Sequence, residues 1–99
     1  MIIEYRTQKL RKVCTLASVA QRKYGAEMAF QIQKRIQEID AAESVEQMVQ
    51  YCIGRCHPLK GDRTGQFAVD LVQPHRLVFT VTKNGIEIAK IEEIVKDYH

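Results

Sequence analysis

Apolar residues recur every three or four positions in the first half of the chain and alternate with polar ones in the second. That change, from a period near 3.6 to a period of 2, predicts helices followed by a sheet. At the start, Ile2, Ile3 and Tyr5 predict a short strand. Leu10, Val13, Cys14, Ala17 and Tyr24 then keep helical spacing behind Thr7, whose hydroxyl suits an N-cap, and Gly25 follows as a C-cap would. A second helix carries Ala29, Ile32, Ile36 and Ile39, with Met28 beside the stripe; joined to the first at one glycine, it predicts an antiparallel helical hairpin. Ser44 and Gln47 form a capping-box pattern for a short third helix carrying Val45, Met48, Val49 and Cys52, which Gly54 ends.

The strands follow. Phe67, Val69 and Leu71 alternate with Ala68, Asp70 and Val72, and Leu77, Phe79 and Val81 alternate with Arg76, Val78 and Thr80. Gln73-Pro74-His75 between them predicts a hairpin, and Asn84-Gly85 predicts a second one into Ile86 and Ile88. A two-residue turn at Asn84-Gly85 has a cost in register. It pairs Val81 with Ile88 but also sets Phe79 against Lys90 and Leu77 against Glu92. A bulge near Ala89-Lys90, or a longer turn, is therefore expected, so that Ile91 returns to the core side. The fold class is α+β: an N-terminal helical hairpin, plus a short third helix, packed on a small antiparallel sheet. Residues 1–99 read as a single domain, since a chain of this length buries about 60–65% of its unfolded surface around one core.

Composition adds little to this until it is divided along the chain. The 45% hydrophobic and 27% charged content suits a folded, soluble domain. There is no run of about 18 apolar residues for a membrane span, and MIIEYRTQK lacks a signal peptide's apolar segment. Three cysteines, Cys14, Cys52 and Cys56, make no disulfide framework, so the expected location is the cytoplasm. Net charge is only +3, yet residues 1–24 hold Arg6, Lys9, Arg11, Lys12, Arg22 and Lys23 against Glu4 alone. Residues 25–50 are acidic on balance, with Lys34 and Arg35 against Glu27, Glu38, Asp40, Glu43 and Glu46. A basic first segment suits a phosphate backbone or an acidic partner, and equally a solvated helix face.

Chemistry concentrates in two places, the loop HPLKGDR at residues 57–63 and the closing DYH. Arg76 stands on the strand face opposite Leu77, Phe79 and Val81, and its guanidinium offers a planar, permanently charged fork for a phosphate. Lys60 and Arg63 add charge on the loop, with Arg55 just before it. His57, His75 and His99 are the side chains able to give and take protons near neutrality. Cutting RNA without a metal needs a base for the 2′-hydroxyl, a cation at the phosphate and an acid for the leaving oxygen, and these residue types fill all three roles. Against this, Lys60-Gly61-Asp62 also reads as an ordinary exposed turn, His75 as a turn residue and His99 as a frayed end. Cys52, Cys56 and His57 lack an evident fourth ligand for zinc, and Cys14 and Cys52 fit the core stripes of their helices. Neither a metal nor another cofactor is expected.

The run HPLKGDRTGQFAVDLVQPHRLVF, together with the terminal DYH, resembles the HigB-type killer-protein toxins of bacterial toxin–antitoxin systems, within the RelE/ParE superfamily. The resemblance covers the second half of the chain strongly, and the helical hairpin fits the same fold. It implies a ribosome-dependent mRNA endonuclease acting by metal-independent attack of the 2′-oxygen. It also implies a cognate antitoxin, usually a helix-turn-helix protein, and contacts of basic residues with ribosomal RNA. Residue by residue, it implies catalytic roles for His57, Lys60, Arg76, Asp97, Tyr98 and His99, with Lys60, Arg63, Arg76 and Arg55 contacting RNA. Whether His57 or His99 is the base stays open. One departure stands out: nuclease members commonly carry a further basic residue on the strand before Arg76, where this chain has Asp70-Leu71-Val72. The rival readings are a gyrase-inhibiting toxin of the ParE kind and a module that only binds its antitoxin.

Overall fold

A computed structural model of the protein describes residues 1–96. Strand β1 (Ile2–Tyr5) is followed by four helices, α1 (Gln8–Thr15), α2 (Ala17–Tyr24), α3 (Ala26–Ala41) and α4 (Val45–Gln50). Then come β2 (His57–Pro58), β3 (Gln66–Asp70), β4 (His75–Asn84) and β5 (Ile86–Lys96), with one-turn 3-10 helices at Ile53–Arg55 and Gly61–Arg63. The five strands form one sheet in the order β1-β5-β4-β3-β2, with the helices packed on one face.

The caps act where the sequence puts them. The Leu10 N–H donates to Thr7 Oγ1 (3.1 Å), and the Gln47 N–H donates to Ser44 Oγ (3.0 Å). Gln47 closes its side of the box one residue early, its Oε1 accepting from the Glu43 N–H rather than from Ser44. The amino group of Met1 donates to the carbonyls of Ile39, Asp40 and Ala42, which meets the orphan acceptors at the end of α3 and ties β1 to that helix.

Four expectations need correction. The helix expected from Thr7 to Gly25 is two helices, because Leu16 turns extended (φ −117°, ψ 106°) and caps both of them. Thr15 precedes that break with its hydroxyl bonded back to the Arg11 carbonyl (2.7 Å), a bond that bends helices. The bend lets Val13 and Cys14 of α1 and Ala20 of α2 all reach the core. The sheet is mixed and not purely antiparallel, since β1 runs parallel to β5 and pairs Ile2 with Ile88 and Tyr5 with Ile91. Cys52 is exposed and left-handed (φ 52°), beyond the end of α4, while Cys56 is the buried one.

The fourth concerns register. The turn is centred on Gly85 and not on Asn84-Gly85, pairing Asn84 with Ile86 and Phe79 with Ile91. The bulge lies at Glu92 and not at Ala89-Lys90: Val78 pairs with Glu93, so Glu92 is the extra residue. Together these put Ile91 and Ile94 on the helix side, with Glu93 and Val95 on the other. The core joins Ile32 and Ile39 of α3 and Met48 of α4 to Leu77, Phe79 and Ile91, all fully buried. Each such side chain contributes about 1.5–3 kcal/mol of hydrophobic burial.

Candidate functional site

The sheet face away from the helices carries the candidate chemistry. Because strand residues alternate sides, Ala68 and Asp70 of β3 share this face with Arg76 and Val78 of β4 and with Glu93 and Val95 of β5. Ala68 and Val78 are almost wholly buried although they lie outside the helix-side core, so they floor a surface that the loop before β3 covers. Residues 57–66 supply that cover. β2 pairs antiparallel with β3, His57 opposite Ala68 and Pro58 opposite Phe67, and the Leu59 N–H donates to the Gln66 carbonyl (2.8 Å).

Between the loop and the sheet lies a cleft of about 250 Å³, lined by Leu59, Arg63, Ala68, Arg76, Val78, Val95 and Lys96. Three cations thus meet over an apolar floor, an arrangement that strengthens their pull on an anion. Arg63 is held in place, with Nη1 donating to Gln66 Oε1 (3.0 Å) and Nη2 to Glu93 Oε1 (2.7 Å). Glu93 therefore orients Arg63 while offsetting part of its charge.

His57 lies beside this cleft in the same cross-strand row as Ala68, Val78 and Glu93. Its Nδ1 is 2.9 Å from the Arg55 carbonyl oxygen. A carbonyl oxygen only accepts, so this contact requires the proton on Nδ1 and leaves the Nε2 lone pair available in the neutral ring. Next to it, the Cys56 thiol is pushed up to about 11 by burial, which makes it a poor nucleophile near neutrality. His75 opens β4, its Nδ1 3.3 Å from the Val72 carbonyl and its ring edge-on to Tyr24, as a turn residue.

Of the sequence candidates, Arg63 and Arg76 line the cleft, and His57 is on the strand beside it. Lys60 is exposed at the head of the Gly61–Arg63 turn, next to Leu59. Arg55 does not line the cleft. Its side chain is 83% exposed, with Nε 3.4 Å from Asp70 Oδ2. Asp97, Tyr98 and His99 lie outside the described residues. Two residues at the cleft, Glu93 and Lys96, escaped the sequence reading: the side that Glu93 takes depends on the bulge at Glu92, and Lys96 lines the cleft from the end of β5. The only available signal was the displaced Ile91.

No protein-family model matches the chain, and no curated protein sequence matches it. Solved structures do. The YoeB/ParE toxin from Agrobacterium tumefaciens is similar with a TM-score of 0.68 at 18% identity, covering 99% of this chain and 100% of that one. The YoeB–YefM complex from Staphylococcus aureus is similar with a TM-score of 0.65 at 23% identity, over 99% of this chain and 98% of that one. The YoeB dimer from Staphylococcus aureus gives 0.63 at 24% identity, over 100% and 97%. The chain has the fold of these YoeB/ParE-type toxins, the RelE/ParE-like fold.

Proposed function

We propose that this chain is the toxin of a type II toxin–antitoxin pair and an endoribonuclease that cuts messenger RNA on the ribosome. The observation that carries the reading is the cleft in which Arg76, Arg63 and Lys96 converge beside His57, on a RelE/ParE-like sheet. A YoeB neighbour in complex with YefM supports a partner protein for this fold, and for this chain we take that partner to be an antitoxin. Its place of action would be the cytoplasm. The loop motif H-x-L-K-G-D-R at His57–Arg63 supports a HigB-type assignment within the superfamily.

The chemistry follows from the residue types. His57 Nε2 takes the proton of a ribose 2′-hydroxyl, and the 2′-oxygen attacks the adjacent phosphorus. Negative charge grows on the phosphoryl oxygens, where Arg76 donates from a fixed fork and Lys60 adds charge from the loop. The bond to the 5′-oxygen breaks, and that oxygen leaves with a proton from the second acid, a role in which Asp97, Tyr98 and His99 are the candidates. The products are a 2′,3′-cyclic phosphate and a 5′-hydroxyl. Residues of the chain cover every step of this scheme, so it calls for no metal.

Single-turnover cutting of mRNA on programmed ribosomes tests the proposal, with the new ends mapped for a 2′,3′-cyclic phosphate. Uncut message with purified protein that still arrests cells would overturn it. One observation favours a second reading, a module that only binds its antitoxin: Asp70 sets a carboxylate opposite Arg76. Purified protein that binds its antitoxin but neither cuts RNA nor arrests cells would favour that reading.

A further inference from the structure

The segment before His57 closes on itself through the Arg55 N–H to the Cys52 carbonyl (3.1 Å) and the Cys56 N–H to the Ile53 carbonyl (3.0 Å), in a strained conformation. Cys52 (φ 52°), Gly54 (φ 59°) and Arg55 (φ 55°) are all left-handed, and two of them carry a Cβ. A left-handed backbone is disfavoured where a Cβ is present, so contacts outside the turn help to hold it. Downstream, the buried Cys56 anchors it. Upstream, the neighbour is Arg35, which reaches out from the middle of α3.

Arg35 is only 14% exposed and spends its guanidinium on two fixed acceptors. Nε donates to the Asp70 carbonyl at the end of β3 (2.6 Å), and Nη1 donates to Glu38 Oε1 (2.7 Å). Its shaft lies against the turn. A Cβ added at Gly54 would stand 2.9 Å from Arg35 Cδ and Nε and 3.2 Å from Cζ, closer than real contacts allow. Glycine here therefore satisfies two demands at once, the positive φ and the close approach of Arg35. From the other side, the Asp70 carboxylate reaches the Arg55 side chain (3.4 Å). Helix α3, the end of β3 and the left-handed turn are thus pinned together at one point. The next group along is the Arg55 carbonyl that receives His57 Nδ1.

We infer that Arg35, seated against Gly54, is a positioning residue that sets the Arg55 carbonyl and so holds His57 with its proton on Nδ1. This rests on the proposed nuclease reading for its meaning, because it makes Nε2 the proton acceptor of the reaction. Arg35 is far from any role at the RNA: it is mostly covered on the helix side and touches none of the cleft-lining residues through the bonds described. Its charge is balanced locally by Glu38, so its contribution is geometric.

The test reads the ring first and the reaction second. Long-range ¹H–¹⁵N NMR of the free protein reports which nitrogen of His57 carries the proton, without RNA or ribosomes. The wild type is expected to hold the Nδ1–H form. Arg35→Lys keeps the charge and most of the shaft but loses the fork that spans two acceptors. Gly54→Ala keeps Arg35 and crowds it. In both variants, folding checked by thermal melting, the ring should become a mixture of tautomers. The acid limb of the single-turnover pH profile should shift, and the rate should fall about 10–100-fold, as for a misplaced catalytic group. A folded Arg35→Lys protein with the wild-type tautomer and pH profile overturns the inference, whether or not the wild type cuts RNA. A wild type that cuts no RNA, with a tautomer that still changes in both variants, overturns the nuclease reading and supports the positioning.

Discussion

Asp70 and Arg76 face each other as paired residues of β3 and β4. Opposite charges at such a position stabilise a sheet by about 0.2–1 kcal/mol, and here the acid also reaches Arg55. The departure from the nuclease pattern noted in the sequence is thus part of the architecture. It lowers the positive potential next to the arginine that would meet phosphate. Asp70→Asn should therefore tighten binding of a short single-stranded RNA and steepen its salt dependence. Fluorescence anisotropy across a salt series measures both, and an unchanged slope would count against this account.

On the proposed nuclease reading, Arg76→Ala should slow single-turnover cleavage by about 10²–10³ while changing ribosome binding far less, because its fork would act on charge that develops in the transition state. Arg76→Lys should recover little, since an ammonium keeps the charge and loses the planar geometry. Equal losses in binding and rate would instead make Arg76 a docking residue.

Arg63 and Lys96 share the cleft, but Arg63 is already bonded to Glu93 and Gln66. Lys96→Ala should reduce the log–log salt slope of RNA binding by about 0.7, the value for one lost contact to a single strand. Arg63→Ala should change that slope less, because Glu93 cancels part of its charge. The reverse ranking would show that the Arg63–Glu93 pair opens when RNA arrives.

Burial pushes the Cys14 thiol up to about 12 and Cys56 up to about 11, against 9 when exposed. Raised values favour the protonated form in the folded state, so the stability linked to these thiols is intact below pH 9. It declines as pH rises toward 11–12, where the unfolded chain is ionised and the folded one is not. Melting temperature should fall across that window, and Cys14→Ala should flatten the fall. At pH 8, alkylation of the native protein should label Cys52, the exposed thiol, well before the other two.

Deleting Glu92 should leave the protein folded, while inserting one residue beside it should not. With Glu92 gone, Ile91, Glu93 and Ile94 still stand opposite Phe79, Val78 and Leu77, so ordinary alternation keeps Glu93 out of the core and Ile94 in it; a second extra residue instead reverses every face beyond it. Circular dichroism and thermal melting of the two proteins decide the matter. An unfolded deletion variant would mean that the bend at the bulge is itself required.

The periodic apolar positions were enough to read the helical half, the hairpin strands and the α+β class, though not the break at Leu16, because burial of Ile32, Ile39, Leu77 and Phe79 dictates them directly. Less legible were features set by distant partners. Nothing local to Ile2–Tyr5 says that it runs parallel to β5, and nothing local to Cys52 says that its turn is left-handed. Arg76 could be placed on the open face from alternation alone. Glu93 and Val95 could not, since a single bulge decides which side they take. Arg35, one charge on an amphipathic helix, gave no sign that it is nearly buried at the end of β3.

The parallel pairing of β1 with β5 has a consequence in time. Ile2 meets Ile88, so the first strand made waits for the last one before its backbone groups find partners. At about 5–20 residues per second of synthesis, that interval is roughly 4–17 s. Through it the helices can form, but the sheet lacks the strand that joins β1 to β4. Val95 and Lys96 arrive at the very end of that strand and complete the wall of the cleft. A growing chain therefore carries its arginines without the pocket that gathers them, and the assembled site dates from the closing of the sheet.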